Sequence, residues 1–151
     1  MERRVEVVLD SSVAVKWFSR EEGSEEALEL MDRHVEGSIR LWVVDIAYGE
    51  VANALRYNPG FGLDGLTRAV ELIYGLHLGS EPITEGLLRR SAEIAFDGDV
   101  TIYDALPVAL AEAKGALCVT GDMKTQFSRL SPKGYPLEPL SGVMTGSKIA
   151  V

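Results

Sequence analysis

Asp10, Glu50, Asp104 and Asp122 are the residues of this sequence best placed to do chemistry. Asp10 ends the apolar run VEVVL and is followed by SSVAVKWF. A carboxylate there is an N-cap for the next helix, because it accepts hydrogen bonds from free N–H groups of the first turn. It is also a carboxylate beyond the carboxyl end of a strand, where open parallel sheets bind ligands. Asp122 follows ALCVTG and precedes MKTQFSRL, and the same two readings apply. Asp104 lies in TIYDALPVAL. Either Thr101 and Asp104 form a capping box, or Asp104 is itself the cap and Pro107 falls in the first turn. Glu50 is different, because it lies within the helical stretch DIAYGEVANALRY, away from either end. Its neighbours one turn away are Ile46, Ala47, Asn53 and Ala54, three of them apolar, which places Glu50 on or beside the buried face. Buried glutamates are rare unless paired or metal-bound. The structural alternative is an ion pair with Arg4 or Arg56; otherwise Glu50 is a functional carboxylate with Asn53 as a helper.

Four carboxylates brought together would need compensation. Two like charges about 4 Å apart repel by about 1 kcal/mol in bulk water and by about 4 kcal/mol at an effective dielectric of 20. Such a cluster takes up protons or holds a cation. All-oxygen ligation favours Mg2+, with Mn2+ as a substitute, since His34 and His77 have no ligand-like spacing and Cys118 sits in an apolar stretch.

The elements that must position these acids alternate between strand and helix, which predicts an α/β fold around a mainly parallel sheet. Strands are expected at Val5 to Leu9, in SIRLWVV, in EPI, in ALCVT and in YPLEPL, the last at an edge because of its prolines. Helices are expected from Val13 to Phe18, over EEGSEEALELMDRHVEG with Leu28, Met31 and Val35 on one face, and over DIAYGEVANALRY with Asp45 as N-cap. Further helices are expected over DGLTRAVELIYGLHLG, capped by Asp64 with Leu66, Ala69, Val70 and Ile73 inward, over TEGLLRRSAEIAFDGD capped by Thr84, and over TIYDALPVALAEAKG ending at Gly115. Residues 1–140 form one domain, and 141–151 a tail or late strand.

At 151 residues the chain suits a single domain with a real core. The net charge of −8 argues against a protein that coats nucleic acid through bulk charge. It leaves room for a site that meets phosphate through a bound cation. No apolar stretch is long enough to span a bilayer, and Glu6, Asp10 and Lys16 interrupt any secretory core near the N-terminus. One cysteine forms no internal disulfide, so a cytoplasmic location is expected. Asn53, Asn58 and Gln126 are the only side-chain amides, a scarcity seen in thermophilic proteins.

The segments VVLDSSVAVKWF, YGEVANAL and TIYDALPVALAEAKGALCVTGD resemble the PIN-domain ribonucleases, and more narrowly the VapC-type toxins, in order and over residues 5 to 140. The resemblance implies a three-layer α/β/α sandwich with an acidic Mg2+ pocket. It implies Asp10, Glu50, Asp104 and Asp122 as metal-site acids, with Ser12 and Thr120 as supporting polar residues. It further implies an endoribonuclease acting on single-stranded or structured RNA, a homodimer, and an antitoxin protein that blocks the site. Asp45 stands where relatives often carry proline, and Pro107 where proline is unusual, so the helix starts are left open. Lys124, Arg129, Lys133 and Lys148, set against Glu138 alone, make the C-terminal segment basic enough to contact an RNA backbone. Arg89 and Arg90 form a second basic candidate.

Competing readings differ in the acids they need. A haloacid dehalogenase-type phosphotransferase requires a second Asp two residues after the first, where this chain has Ser12. A receiver domain has adjacent acids after its first strand and no essential mid-helix glutamate. A PIN-like scaffold that binds RNA or protein without cleaving it has the same acids as the nuclease.

Overall fold

The computed structural model of the chain describes residues 4–143. Five strands form one sheet in the order β3-β2-β1-β4-β5, and every neighbouring pair is parallel. The strands are β1 (Val5–Leu9), β2 (Ile39–Val44), β3 (Gly79–Glu81), β4 (Leu117–Thr120) and β5 (Leu137–Pro139). The third strand lies just before the expected one, because Pro82 has no N–H to continue the ladder. The seven α-helices among the described residues are α1 (Ser11–Ala14), α2 (Ser24–Glu36), α3 (Ile46–Arg56), α4 (Leu63–Gly75), α5 (Glu85–Gly98), α6 (Ile102–Lys114) and α7 (Ser128–Leu130). The expected three-layer α/β/α sandwich is what the chain forms.

The strands are apolar because both sheet faces are covered. Alternation along β1 sends Val7 and Leu9 into one core, with Ala27, Leu30, Val51, Leu55, Ala69 and Ile73 of α2, α3 and α4. Val8 enters the other, with Ile94, Leu106, Val108 and Leu130 of α5, α6 and α7. The order of strands reverses between β1 and β4, whose carboxyl ends open into the crevice where open α/β sheets bind ligands.

Several helix faces and caps differ from expectation. The inward face of α2 is Ala27 and Leu30, whereas Leu28 and Val35 are 40% and 68% exposed. Small Ala27 lets the helix dock closely, and its carbonyl accepts a 2.7 Å hydrogen bond from Trp17 Nε1. On α4, Val70 faces outward while Ala69 and Ile73 are buried. Gly62 occupies the cap position of α4, so Asp64 lies in the first turn, still favourably placed toward the helix dipole. Asp45 stands at the start of α3 with no side-chain capping bond. Thr84 caps α5, and α6 ends at Gly115 in the left-handed conformation, both as expected. The boundary at residue 140 falls beside a short turn, Leu140–Gly142, and the rest of the expected tail lies outside the described residues.

Candidate active site

Each acid is delivered by a different part of the chain. Asp10 leaves β1 in extended conformation and caps α1, its Oδ2 accepting from the Ser12 N–H at 3.0 Å. Its own N–H continues the sheet, donating to the Val119 carbonyl of β4 at 3.0 Å. Asp122 follows β4 and caps the next turn, accepting from Thr125 N–H at 3.0 Å and Gln126 N–H at 3.4 Å. Asp104 lies in the first turn of α6. Thr101 is the cap there and accepts from the Asp104 N–H at 3.0 Å. This resolves the open alternative: Pro107 sits inside the helix, buried, and offers no N–H to the Tyr103 carbonyl one turn before it. Glu50 projects from α3, whose buried face is Ala47, Val51 and Leu55. It stands at the border of that face, half-buried, and forms no ion pair with Arg4 or Arg56 among the described residues.

The titration of three of these carboxylates is coupled to neighbouring acids. Burial pushes the Asp10 carboxyl above its ordinary range, and the Asp122 charge adds to it, against hydrogen bonds from Ser12 and Gln126. Burial likewise raises Glu50, with the charges of Asp10 and Asp104 adding and the Ser11 side chain opposing. Asp104 is raised by burial and by the charges of Asp10 and Asp122, with Thr101 opposing. Asp10 thus lies within reach of all three other charges.

The supporting residues divide. Ser12 Oγ accepts from the Gly121 N–H at 3.0 Å, joining the turn after β1 to the turn after β4. Thr120 is fully buried, and its Oγ1 accepts from the Asp122 N–H at 2.9 Å. Asn53 is exposed and makes no side-chain hydrogen bond among the described residues. One residue at the centre was read from the sequence only as a scarce amide. Gln126 is fully buried; its Nε2 donates to Asp10 Oδ1 at 3.2 Å and to the Asp104 carbonyl at 2.8 Å, and its Oε1 accepts from Thr120 Oγ1. Its position four residues after Asp122 is all the sequence shows of it, and that does not reveal its burial among these groups.

The donor set is all oxygen, and none of the four acids has an ion-pair partner among the described residues. A cation would offset both the burial of charge and the mutual repulsion that together raise three of the acids. In charge and donor type the site fits a hard divalent ion. Among the described residues, however, no three His, Cys, Asp or Glu side chains stand close enough as placed to enclose one together. The His34 ring is structural: Nδ1 accepts from the Leu41 N–H at 3.1 Å and Nε2 bonds the Leu76 carbonyl at 2.8 Å. Cys118 is buried in the sheet.

Of the expected RNA-contacting cations, Arg129 pairs with Asp99, Lys133 with Asp97, Arg89 with Glu85, and Arg90 with Glu93 and Glu112. Lys124, next to Met123 in the turn capped by Asp122, has no ion-pair partner among the described residues, and Lys148 lies outside them.

Comparison with solved structures gives the same fold at low identity. VapBC2 from Rickettsia felis, bound to a DNA fragment from its promoter, aligns with a TM-score of 0.67 at 13% identity, over 89% of this chain and 98% of that one. PAE2754 from Pyrobaculum aerophilum aligns with a TM-score of 0.64 at 17% identity, over 93% of both chains. VapC20 from Mycobacterium tuberculosis, a sarcin-ricin loop cleaving toxin, aligns with a TM-score of 0.64 at 16% identity, over 85% of this chain and 95% of that one. No curated protein matches the sequence significantly. The family model for the PIN domain matches residues 7–131, a span that runs from β1 through α7 and contains all four acids. The chain therefore belongs to the PIN-domain family.

Proposed function

We propose that this protein is a Mg2+-dependent endoribonuclease and the toxin of a VapBC-type toxin–antitoxin pair, with Mn2+ able to replace Mg2+. The observation that carries the proposal is that carboxylates from four separate segments lie around Asp10 near the crevice beyond β1 and β4, close enough for each of the other three to be coupled to its charge. Family membership and the fold shared with VapC structures support it.

Asp10, Glu50, Asp104 and Asp122 would hold the ion. When bound, it would neutralise phosphate oxygens and lower the pKa of an adjoining water. Asp10 would be the central ligand, because the charges of the other three acids are all coupled to it. Asp104 and Asp122 lie beside it and would orient the water for attack on phosphorus in line with the leaving 3′ oxygen. The water's proton would pass to a site carboxylate as its oxygen bonds phosphorus, and a proton returned from that carboxyl through solvent would reach the 3′ oxygen as the P–O3′ bond breaks. The products carry 5′-phosphate and 3′-hydroxyl ends. No nucleophilic side chain is needed. The partners proposed are an RNA substrate, a second copy of the chain, and an antitoxin protein that covers the acids.

The test is cleavage of a labelled single-stranded RNA by the purified protein, with Mg2+ or Mn2+ and with EDTA, beside folded Asp104→Asn. Ion-dependent cleavage that the variant loses is the expected result. Equal cleavage by both proteins would overturn the proposal. Absence of cleavage together with RNA binding would favour the non-catalytic scaffold.

A further inference from the structure

We infer that Gln126 is a positioning residue of the acid site, its carboxamide fixing how Asp10 and Asp104 are presented to the crevice; this rests on the nuclease reading above. The hydrogen bonds leave the amide one orientation. The Asp122 N–H must donate, and it donates to Thr120 Oγ1. The Thr120 hydroxyl proton is then directed to Gln126 Oε1. That leaves both Nε2 protons for the other two partners, the Asp10 carboxylate and the Asp104 carbonyl, which at those atoms only accept. Every polar group of the side chain is used, as a fully buried amide requires.

The bonded partners lie on three elements. Asp10 follows β1, Thr120 ends β4, and Asp104 lies in the first turn of α6. The Gln126 amide is therefore a strut between the end of the sheet and the N-terminus of α6. With Oδ1 bound by Gln126 and Oδ2 by the Ser12 N–H, rotation of the Asp10 carboxylate is restrained from both sides. The backbone around Gln126 is shaped to bring it inward. Met123–Phe127 is a widened turn closed by Phe127 N–H on the Asp122 carbonyl at 3.0 Å, an i to i−5 bond. Such π-type turns recur at functional sites.

The test uses Gln126→Met, which keeps the length and volume of the side chain and removes both donors. Gln126→Asn, which keeps the amide and shortens its reach, replaces it should the Met variant fail to fold. Titration calorimetry with MnCl2 and no RNA is the first readout. Expected is a Kd weakened by about tenfold or more, as for residues that orient metal ligands, in a variant that stays folded although its melting temperature falls, because the Asp104 carbonyl and Thr120 hydroxyl lose a buried partner. On RNA, kcat should fall while KM stays. Equal Mn2+ affinity in a folded variant would overturn the inference. If the wild-type protein takes up no Mn2+, the metal reading fails, and the strut is judged alone. Hydrogen exchange of the Gln126 side-chain amide, followed by 15N NMR without metal, then decides it. Slow exchange supports the strut, and exchange at the rate of a free amide overturns it.

Discussion

Glu50 is costly to keep ionised where α3 places it. Its carboxyl titrates above the ordinary glutamate value because it is partly desolvated and faces Asp10 and Asp104. A raised folded-state pKa means stability present below the unfolded value and lost as pH rises through the folded one. At neutral pH without a divalent ion, Glu50 therefore destabilises the fold. Glu50→Gln should raise the melting temperature in EDTA at pH 7 by about 2 °C, a small figure because the group is only half-buried. That gain should vanish as the pH approaches 4.5, the ordinary glutamate value. The same variant should lose cleavage by about 100-fold or more. Calorimetry across pH checks the first pair of statements, and a gain independent of pH would contradict them. Asp10, Asp104 and Asp122 were legible in the sequence because each sits at a local boundary between elements. Glu50 was legible from its helical neighbours, although it stands at the edge of the apolar face and not within it. Gln126 was not legible, since its role depends on groups from three elements meeting around one amide.

At the scale of elements, the strand positions could be read because buried parallel strands are short apolar runs bounded by turn residues. Helix faces could be read less well. An apolar helix offers several overlapping stripes at 3.6-residue spacing, and docking chooses among them; on α2 it chose Ala27 and Leu30 over Leu28 and Val35. Glycines at close contacts carry no such pattern and emerge only from packing. Gly98 ends α5 against α7, where an added Cβ would lie 2.2 Å from Leu130 Cδ2. Leu130 is fully buried, so its side chain must repack within the core to make room. Gly98→Ala should therefore cost about 2 kcal/mol, or about 6 °C in Tm. Cleavage well below the melting temperature should remain nearly unchanged, because the acids come from other segments. Thermal melts beside low-temperature assays test the two parts separately. A normal Tm would show that α5 and α7 separate more easily than their contact implies.

At the scale of the molecule, net charge and site location act against simple RNA binding. The chain carries −8 overall, and its acids are gathered at the carboxyl end of the sheet. Arg4, Arg40 and Lys114 line a cavity at the opposite end, beside the starts of β1 and β4. Near the acids, Lys16 is tied to Glu21 at 2.8 Å, and Arg129 and Lys133 are paired with aspartates. Of the described cations in the segments beside the acids, Lys124 has no ion-pair partner, while Lys16 and Arg129 are already paired, so local charge offers little to replace the counterions of an RNA backbone. Binding must then depend on the divalent ion and on a small number of phosphate contacts. Each neutralised phosphate contributes about −0.7 to the slope of log K against log salt for single strands. An RNA with a non-cleavable linkage should therefore bind with a shallow slope, about −2 for three contacts, when Mn2+ is saturating. Without a divalent ion, binding should be nearly lost. Filter binding over a series of NaCl concentrations measures both. A slope near −5, about seven contacts, would require an extended basic surface that this charge distribution does not provide, and a second protein chain completing the RNA groove would then be the source to look for.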